Sequence, residues 1–375
     1  MKTEWAHKKL IDLADYYNGM AFKPSDWVES GTKIIRIEQL NNPLGNYDYY
    51  QGSYPEINAI HNEDLIFSWS ATLKVAIWKW GEGVLNQHLF KVVPFENVDK
   101  YFLYYLLDYN MPKLGESSHG STMKHIKRKE LETYSVKIPT TLSAQRRIAA
   151  ILSSADKVID STRRLIEKYK KMKQGMMEDL LKPKDGWKMV RLGEVCEPSS
   201  EKYNPLTENT FQYCIEMENI NQESGTINGK SDITKLLSLK TKFHKGEVLY
   251  GKLRPYLKKY WLSDFDGACS TEIWVLKNSE NIDNQFLFYL FQSDCINRIA
   301  NQSSGTKMPR ADWNFMEKQT VSIPFKNDKP DLPEQRRIAA ILSGIDAKIA
   351  AEEKVLEKYG KVKKGLMERM LEEKV

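Results

Sequence analysis

SAQRRIAAILSSADKVIDSTRRLIEKYKKMKQGMMEDLL, residues 143 to 181, returns as PEQRRIAAILSGIDAKIAAEEKVLEKYGKVKKGLMERML at residues 333 to 371, with a constant offset of 190 and no gap. Of the 39 positions 20 are identical, too many for two helices that share only a composition. In the first copy Ile148, Leu152, Ala155, Ile159, Thr162, Ile166 and Tyr169 step by four and three; in the second Ile338, Leu342, Ile345, Ile349, Glu352, Leu356 and Tyr359 do the same. That spacing places each set along one seam of a helix. Each helix is on the order of 57 Å long at 1.5 Å per residue. Its apolar stripe is too narrow for stability alone in water, so the two copies are expected to bury their seams against each other. The seam breaks at Thr162 and Glu352, which argues against a dry layer there. Ser143 suits an N-cap, Pro333 and Glu334 suit the first turn of the second copy, and Pro183 stops the first.

The chain has 375 residues, room for two or three domains, and its 41% hydrophobic and 28% charged content is ordinary for a globular protein. The longest apolar runs, Phe102 to Leu107 and Phe286 to Phe291, are far short of a membrane span, and the charged start MKTEWAHKK leads into no apolar signal region. A cytoplasmic location is the expectation. Cys196, Cys214, Cys269 and Cys295 are widely separated, so reduced and packed cysteines are expected rather than a metal knuckle or a disulfide framework.

A net charge of +6 suggests nucleic acid only until it is divided by segment. Residues 143 to 184 carry 11 Lys or Arg against 5 Asp or Glu, residues 333 to 375 carry 10 against 8, and the remainder 35 against 37. The globular parts are not basic, so any nucleic-acid reading must rest on local clusters.

Trp5 to Leu13 (WAHKKLIDL) is matched by Trp187 to Val195 (WKMVRLGEV), so both globular segments open alike and the order is globular, helix, globular, helix. Short apolar runs bounded by Gly, Asn and Asp predict strands over Lys33 to Ile37, Asp64 to Trp69, Lys74 to Trp80 and His88 to Val93. In the second segment they predict strands over Gln212 to Met217, Glu247 to Tyr250, Leu257 to Leu262 and Glu272 to Leu276. An aromatic-rich helix follows each set, over Lys100 to Asp108 and Asn284 to Ser293. The expected fold class is α+β: two mixed, mostly antiparallel domains, at 1–142 and 185–332, separated and followed by long helices at 143–184 and 333–375.

Behind each aromatic helix lies a small polar loop, Gly120-Ser121-Thr122-Met123-Lys124-His125 and Ser304-Gly305-Thr306-Lys307-Met308-Pro309-Arg310. Glycine, hydroxyls and a cation together let a backbone approach and hold a phosphate. An ordinary solvated turn is the plainer reading of one such loop, and recurrence in both halves weighs against it. The other cluster runs from Lys242 to Lys259, where Lys242, Lys245, Lys252, Arg254, Lys258 and Lys259 alternate with Tyr250, Pro255 and Tyr256 and are opposed locally by Glu247 alone. A strand pair with cations and aromatics on one face could lie on a DNA backbone, although a solvated sheet face has the same composition. Its counterpart, Phe67 to Trp80 (FSWSATLKVAIWKW), is far less basic, so the halves would not read the same surface.

Two unlike globular segments, separated and followed by repeated helices that begin QRRIAAIL, resemble the specificity (S) subunit of type I restriction-modification enzymes. The strings HKGEVLYGKLRPYLKKYWL at His244 to Leu262, Ala268-Cys269-Ser270-Thr271-Glu272 and Gly120 to Lys124 are similar to that family's target recognition domains. The resemblance implies that each domain reads one half of a bipartite, asymmetric duplex DNA site. It implies that the antiparallel helix pair, with Ile148, Leu152, Ile159, Ile166, Ile338, Leu342, Ile349 and Leu356 on its seam, is a pseudo-two-fold coiled coil that sets the gap and docks two methyltransferase (M) subunits. Restriction (R) subunits would join them. On this reading DNA contacts come from Ser121, Thr122, Lys124, His125, Lys252, Arg254, Tyr256, Lys258, Thr306, Lys307 and Arg310. S-adenosylmethionine is expected on the methyltransferase partner, with no cofactor or metal on this chain. The copies depart from one another at their starts, Ser143-Ala144 against Pro333-Glu334.

Catalytic readings fare worse. Gly246 to Leu253 (GEVLYGKL) has the glycine and lysine spacing of a phosphate-binding loop, but Leu253 stands where a metal-liganding hydroxyl belongs. His119 and His125 are six apart, not on one helical face, and no nucleophile with a base is visible. The expectation is a DNA-reading subunit that catalyses nothing itself; a coiled-coil scaffold or adaptor without DNA specificity is the alternative.

Overall fold

A computed structural model describes residues 4–116, 126, 128–302 and 308–372. The chain divides into two compact units, 1–163 with 354–375, and 164–353.

In the first unit the strand Trp5–Lys9 pairs antiparallel with Ser135–Pro139, from Trp5 opposite Pro139 to Lys9 opposite Ser135. A four-stranded antiparallel sheet follows in the order Ala14–Asn18, Leu89–Pro94, Leu65–Ser68, Lys74–Ile77. A smaller sheet runs Tyr49–Tyr50, Thr32–Ile35, Gly83–Leu85, Ala59–Ile60, with the middle pair parallel. The helix Lys100–Glu116 presents Phe102, Leu103, Leu106 and Leu107 to a core that also holds Phe67 and Phe90.

The second unit repeats this plan. Trp187–Arg191 pairs with Thr320–Lys326, and the main sheet runs Cys196–Pro198, Ile273–Asn278, Val248–Gly251, Tyr260–Leu262. A five-stranded sheet holds Lys202–Tyr203, Lys240–Phe243, Gly267–Cys269, Tyr213–Ile215 and Ser231–Asp232, again with one parallel pair. Here the aromatic helix is Asn284–Gln292, and a further helix, Asp294–Gln302, follows it.

Several expectations need correction. The predicted strand over Leu257 to Leu262 is half turn: Pro255–Leu257 forms a 3-10 turn between Arg254 and Lys258, both left-handed, at φ 51° and 47°. Proline fixes one dihedral and the two flanking residues reverse the chain, so only Tyr260–Leu262 pairs. The opening stretches at Trp5 and Trp187, matched in sequence but given no element there, are strands whose partners lie more than a hundred residues away. The strand expected over Lys33 to Ile37 ends at Ile35, and a short helix, Ile37–Asn41, follows.

The long helices span Leu142–Leu180 and Leu332–Leu371. Thr141 rather than Ser143 caps the first, its hydroxyl accepting from the Ala144 N–H at 3.4 Å, and Asp331 caps the second through the Glu334 N–H at 3.1 Å. Along the seam Ile148, Leu152, Ile159, Ile166, Ile338, Leu342 and Ile349 are buried, and Leu356 is half-buried. Ile148 and Leu152 enter the core of the first unit, and Ile338 and Leu342 that of the second, so the helix starts bury their stripe in the globular fold. Thr162 does not interrupt the seam: it is buried because its hydroxyl donates to the Val158 carbonyl at 3.0 Å. Tyr359 is exposed.

The repeated QRR acquires a role in these contacts. Gln145 is buried, and its amide donates to the carbonyls of Asn97 and Pro139 at 3.2 and 3.0 Å and accepts from the Asp99 N–H at 2.8 Å. Asp99 in turn caps the aromatic helix through the N–H groups of Tyr101 and Phe102, and its other oxygen faces Arg146 at 3.6 Å. Gln335 does the same with Asn281 and Asp283, Asp283 caps through Gln285 and Phe286, and Arg336 faces it at 3.2 Å. Both helix starts are therefore held by the same device, with one further bond, to the Pro139 carbonyl, at Gln145, despite Ser143-Ala144 against Pro333-Glu334.

A second device repeats with the offset of 190. In the second unit Lys173 is buried, its ammonium 2.8 Å from Asp346 Oδ1 and 2.9 Å from Gln292 Oε1, and it sits over the Tyr289 ring. The Tyr289 hydroxyl donates to Asp346 Oδ2 at 2.8 Å. In the first unit Lys363 meets Asp156 at 2.6 Å over the Tyr105 ring, and Tyr105 donates to Asp156 at 2.7 Å. Burial, with the carboxylate beside it, pushes each phenol's pKa up. Lys170 also meets Glu353 at 2.9 Å, so within the second unit 170 pairs with 353 and 173 with 346: the two helix segments run antiparallel there. In the first unit Asp156 meets Lys363 while Leu152 shares a core with Met367 and Leu371, which again means antiparallel.

Removing Asp346 leaves the Lys173 ammonium buried without a carboxylate. Asp346→Ala is expected to destabilise the second unit by about 3 kcal/mol, read as a lower denaturant midpoint. Adding Lys173→Met should recover much of the loss. A single substitution as stable as the parent would mean that the clasp contributes nothing.

Candidate nucleic-acid interface

The main sheet's central strand, Val248–Gly251, is buried along its length, so the basic residues after it are carried out to the end of the sheet. A buried strand also rules out a phosphate loop at Gly246 to Leu253. Beyond Gly251 the backbone meets the exit of the polar loop: Ala311 N–H donates to the Lys252 carbonyl at 2.9 Å, Arg254 N–H to the Pro309 carbonyl at 2.7 Å, and Leu253 bridges Arg310. Two clusters that lie some fifty positions apart in sequence are thereby one surface, with Lys252, Arg254 and Arg310 on neighbouring backbone segments. Arg310 is held side-on by Glu272, Nε to Oε2 at 3.0 Å and Nη2 to Oε1 at 3.2 Å, which raises the guanidinium's pKa. Glu272 also accepts the Lys252 N–H through its carbonyl at 3.0 Å. Among the described residues neither Lys252 nor Arg254 has an ion-pair partner. Tyr256 is exposed on the same turn.

The rest of the basic stretch goes elsewhere, which corrects the expectation of one cationic face opposed by Glu247 alone. Lys242 pairs with Glu208 at 2.7 Å and holds that carboxyl below the usual range. Lys258 faces Glu223 at 3.4 Å and Asp294 at 3.6 Å, and Lys259 donates to the Met217 carbonyl at 2.5 Å, its pKa lowered by burial. Tyr250 is buried in the core. Sequence proximity could not show these pairings because the carboxylates come from distant segments. Ser121, Thr122, Lys124, His125, Thr306 and Lys307 lie outside the described residues.

The first unit has the same frame with other side chains. Ile126 N–H donates to the Trp69 carbonyl at 2.8 Å, the counterpart of Ala311 on Lys252, and Ala71, at φ 57°, stands where Arg254 does. Trp69 and His88 lie 5.7 Å apart between ring centroids. Trp69 thus stands where Lys252 does and His88 where Glu272 does, an aromatic pair in place of a cation and a carboxylate.

Cys196, Cys214 and Cys269 are buried and their thiols pushed up by burial, Cys214 to about 12, whereas Cys295 is exposed and not packed as expected. Among the described residues no group of three His, Cys, Asp or Glu could hold a metal ion, and no helix is long and apolar enough to cross a membrane.

Two globular frames of like plan, each clasped to a long helix that recurs and each with its own side chains at the sheet end, define a chain built twice over with unlike surfaces. The family model for the type I restriction modification DNA specificity domain matches residues 2–171 and again 184–358, and the chain belongs to that family. It is 26% identical over 408 residues to the type I restriction enzyme MjaVIII specificity subunit of Methanocaldococcus jannaschii, covering 99% of this chain and 93% of that one. It is also 26% identical over 370 residues to the EcoDI specificity subunit of Escherichia coli, covering 84% and 80%. The crystal structure of a type I restriction-modification S subunit from M. genitalium shares the fold, with a TM-score of 0.62 at 14% identity and coverage of 99% and 96%.

From burial and raised thiol pKa values, one cysteine of the four in the chain should react with a thiol-specific chromogenic reagent in the native protein, and all four after denaturation. Two or more fast thiols in the native state would contradict the packing of the second unit.

Proposed function

We propose that the chain is the DNA-reading subunit of a type I restriction-modification complex, each unit reading one half of a bipartite, asymmetric duplex site. The observation that carries this reading is the pair of sheet ends: one frame, with Lys252, Arg254 and Arg310 in the second unit and Trp69 and Ala71 in the first. Cations near phosphates orient a protein on a duplex, and a few side chains at base edges specify sequence. Two readers with unlike side chains select an asymmetric site. The paired helices act as the ruler between the halves, since helices are stiff where flexible linkers are not, and they dock two methyltransferase subunits, with restriction subunits joining. Methyl transfer and its S-adenosylmethionine belong to the partner on this reading, and the chain itself is non-catalytic. The work is done in the cytoplasm, where the DNA is.

Lys252→Ala or Arg254→Ala should weaken recognition of one half-site only and lower the dependence of log affinity on log salt by about one contact each, measured by titrating duplexes with either half scrambled. Equal loss at both halves would count against independent readers. Inserting four residues after Tyr169, roughly one helical turn, should change the gap tolerated between halves in methylation of a spacer library. An unchanged gap refutes the ruler.

A further inference from the structure

Arg310 differs from Lys252 and Arg254, its neighbours at the end of the second unit's main sheet, in being paired with a carboxylate. Glu272 takes it side-on, Nε to Oε2 at 3.0 Å and Nη2 to Oε1 at 3.2 Å, and the arginine side chain still keeps half its accessible surface. Such a pair engages two of the five N–H donors of a guanidinium and fixes its plane, and the other three point away from the carboxylate. Both partners are rooted in the same strand end. Glu272 lies in a turn closed by the Ile273 N–H on the Ser270 carbonyl at 3.0 Å, and its own carbonyl accepts from the Lys252 N–H at 3.0 Å. Arg310 lies between two further main-chain bonds, Arg254 N–H to the Pro309 carbonyl at 2.7 Å and Ala311 N–H to the Lys252 carbonyl at 2.9 Å.

Those main-chain bonds already hold the loop exit on the sheet, so the ion pair is not needed to attach it, and a pair this exposed contributes little to stability. What it changes is the arginine's charge and its aim. A phosphate attracts by charge and accepts contacts from many directions. An arginine cancelled by a carboxylate is poorly suited to it, and the carboxylate itself is repelled. A base edge asks for the reverse, little net charge and donors held in a fixed plane. Guanine presents two acceptors, N7 and O6, side by side in the major groove, where a planar guanidinium can meet both at once. Lys252 and Arg254, without ion-pair partners among the described residues, have the character that phosphates select. The first unit lacks the device, since His88 stands at the place of Glu272 and carries no carboxylate.

We propose that Glu272 is a positioning residue that sets Arg310 on the N7 and O6 atoms of one guanine in the major groove, so that the second unit's half-site contains a G·C pair read by Arg310. Lys252 and Arg254 contact phosphates beside it. The inference rests on the reading that this unit binds one half of a duplex site, and it adds which base is selected there and through which side chains. Removing the Glu272 carboxylate then has two opposite consequences. The guanidinium loses its aim, so discrimination falls, and the interface loses a negative charge, so affinity for any duplex is kept or raised. A merely structural tie would lower both.

The test is selection from duplexes randomised across both half-sites by the purified complex of the full chain with its methyltransferase partner, for the parent, Arg310→Ala and Glu272→Gln. The parent is expected to require guanine at one position of one half, and Arg310→Ala to lose about tenfold to a hundredfold of preference there while keeping every other. Replacing that guanine by 7-deazaguanine, which removes the N7 acceptor, should cost the parent about tenfold and Arg310→Ala nothing. Glu272→Gln should lose the same preference, with an affinity for an unrelated duplex equal to the parent's or higher. A parent that requires no guanine in that half, or an Arg310→Ala complex with every preference of the parent, overturns the inference and leaves the reader of two half-sites intact. Glu272→Gln weakening chosen and unrelated duplexes alike, or either variant losing selection at both halves, makes the pair a structural tie and also overturns it. A parent complex that selects no sequence at all overturns the proposed function together with this inference.

Discussion

A lysine ammonium held between a carboxylate and a tyrosine ring, buried at Lys173 and half-buried at Lys363, fastens the long helices to one another in each unit, and the rest of the architecture depends on it. Burying such a charge is costly unless it is paired, and here Asp156 with Tyr105, or Asp346 with Tyr289, satisfies it. The geometry is demanding in a useful way. The ammonium must reach one carboxylate oxygen while the phenol reaches the other, which fixes the register of the helix segments as no apolar contact could. Gln145 and Gln335 complete the arrangement at the helix starts, each tying its helix to the cap of the aromatic helix.

Because these polar contacts fix the frame, the sheet ends are released from structural duty and can differ. The backbone of the loop exit meets the strand end through main-chain hydrogen bonds in both units, so the fold leaves the side chains there free to differ. Arg254 and Ala71 occupy one left-handed turn position with no common chemistry. Such a division is what a family of readers needs: a constant scaffold and a surface free to vary.

The helices, their repeat and most of the seam were legible from 3.6-residue spacing, which a buried helical stripe imposes on any sequence. The strands around Phe67 and Tyr250 were legible because they are fully buried apolar runs between turn residues, and that around Val275 because it is mostly so. The opening strands at Trp5 and Trp187 were not, since they are polar and pair with segments next to the long helices, far away in sequence. The basic run from Lys242 to Lys259 misled, because alternation along a strand and the turn at Pro255 send its cations to different sides, towards Glu208, Glu223 and Asp294. One signal stood in the sequence and was missed. Gln145, Asp156 and Lys173 are identical to Gln335, Asp346 and Lys363, and polar identities within an amphipathic repeat mark side chains with specific partners rather than a solvated face.

The most direct test of the account is to map methylated positions across a genome that carries the chain together with its methyltransferase, and across the same genome without the chain. A two-part motif of unlike halves at constant separation, lost when the chain is absent, is the predicted result. Methylation at one uninterrupted motif, at two copies of a single half, or unaltered by the chain's removal would contradict it.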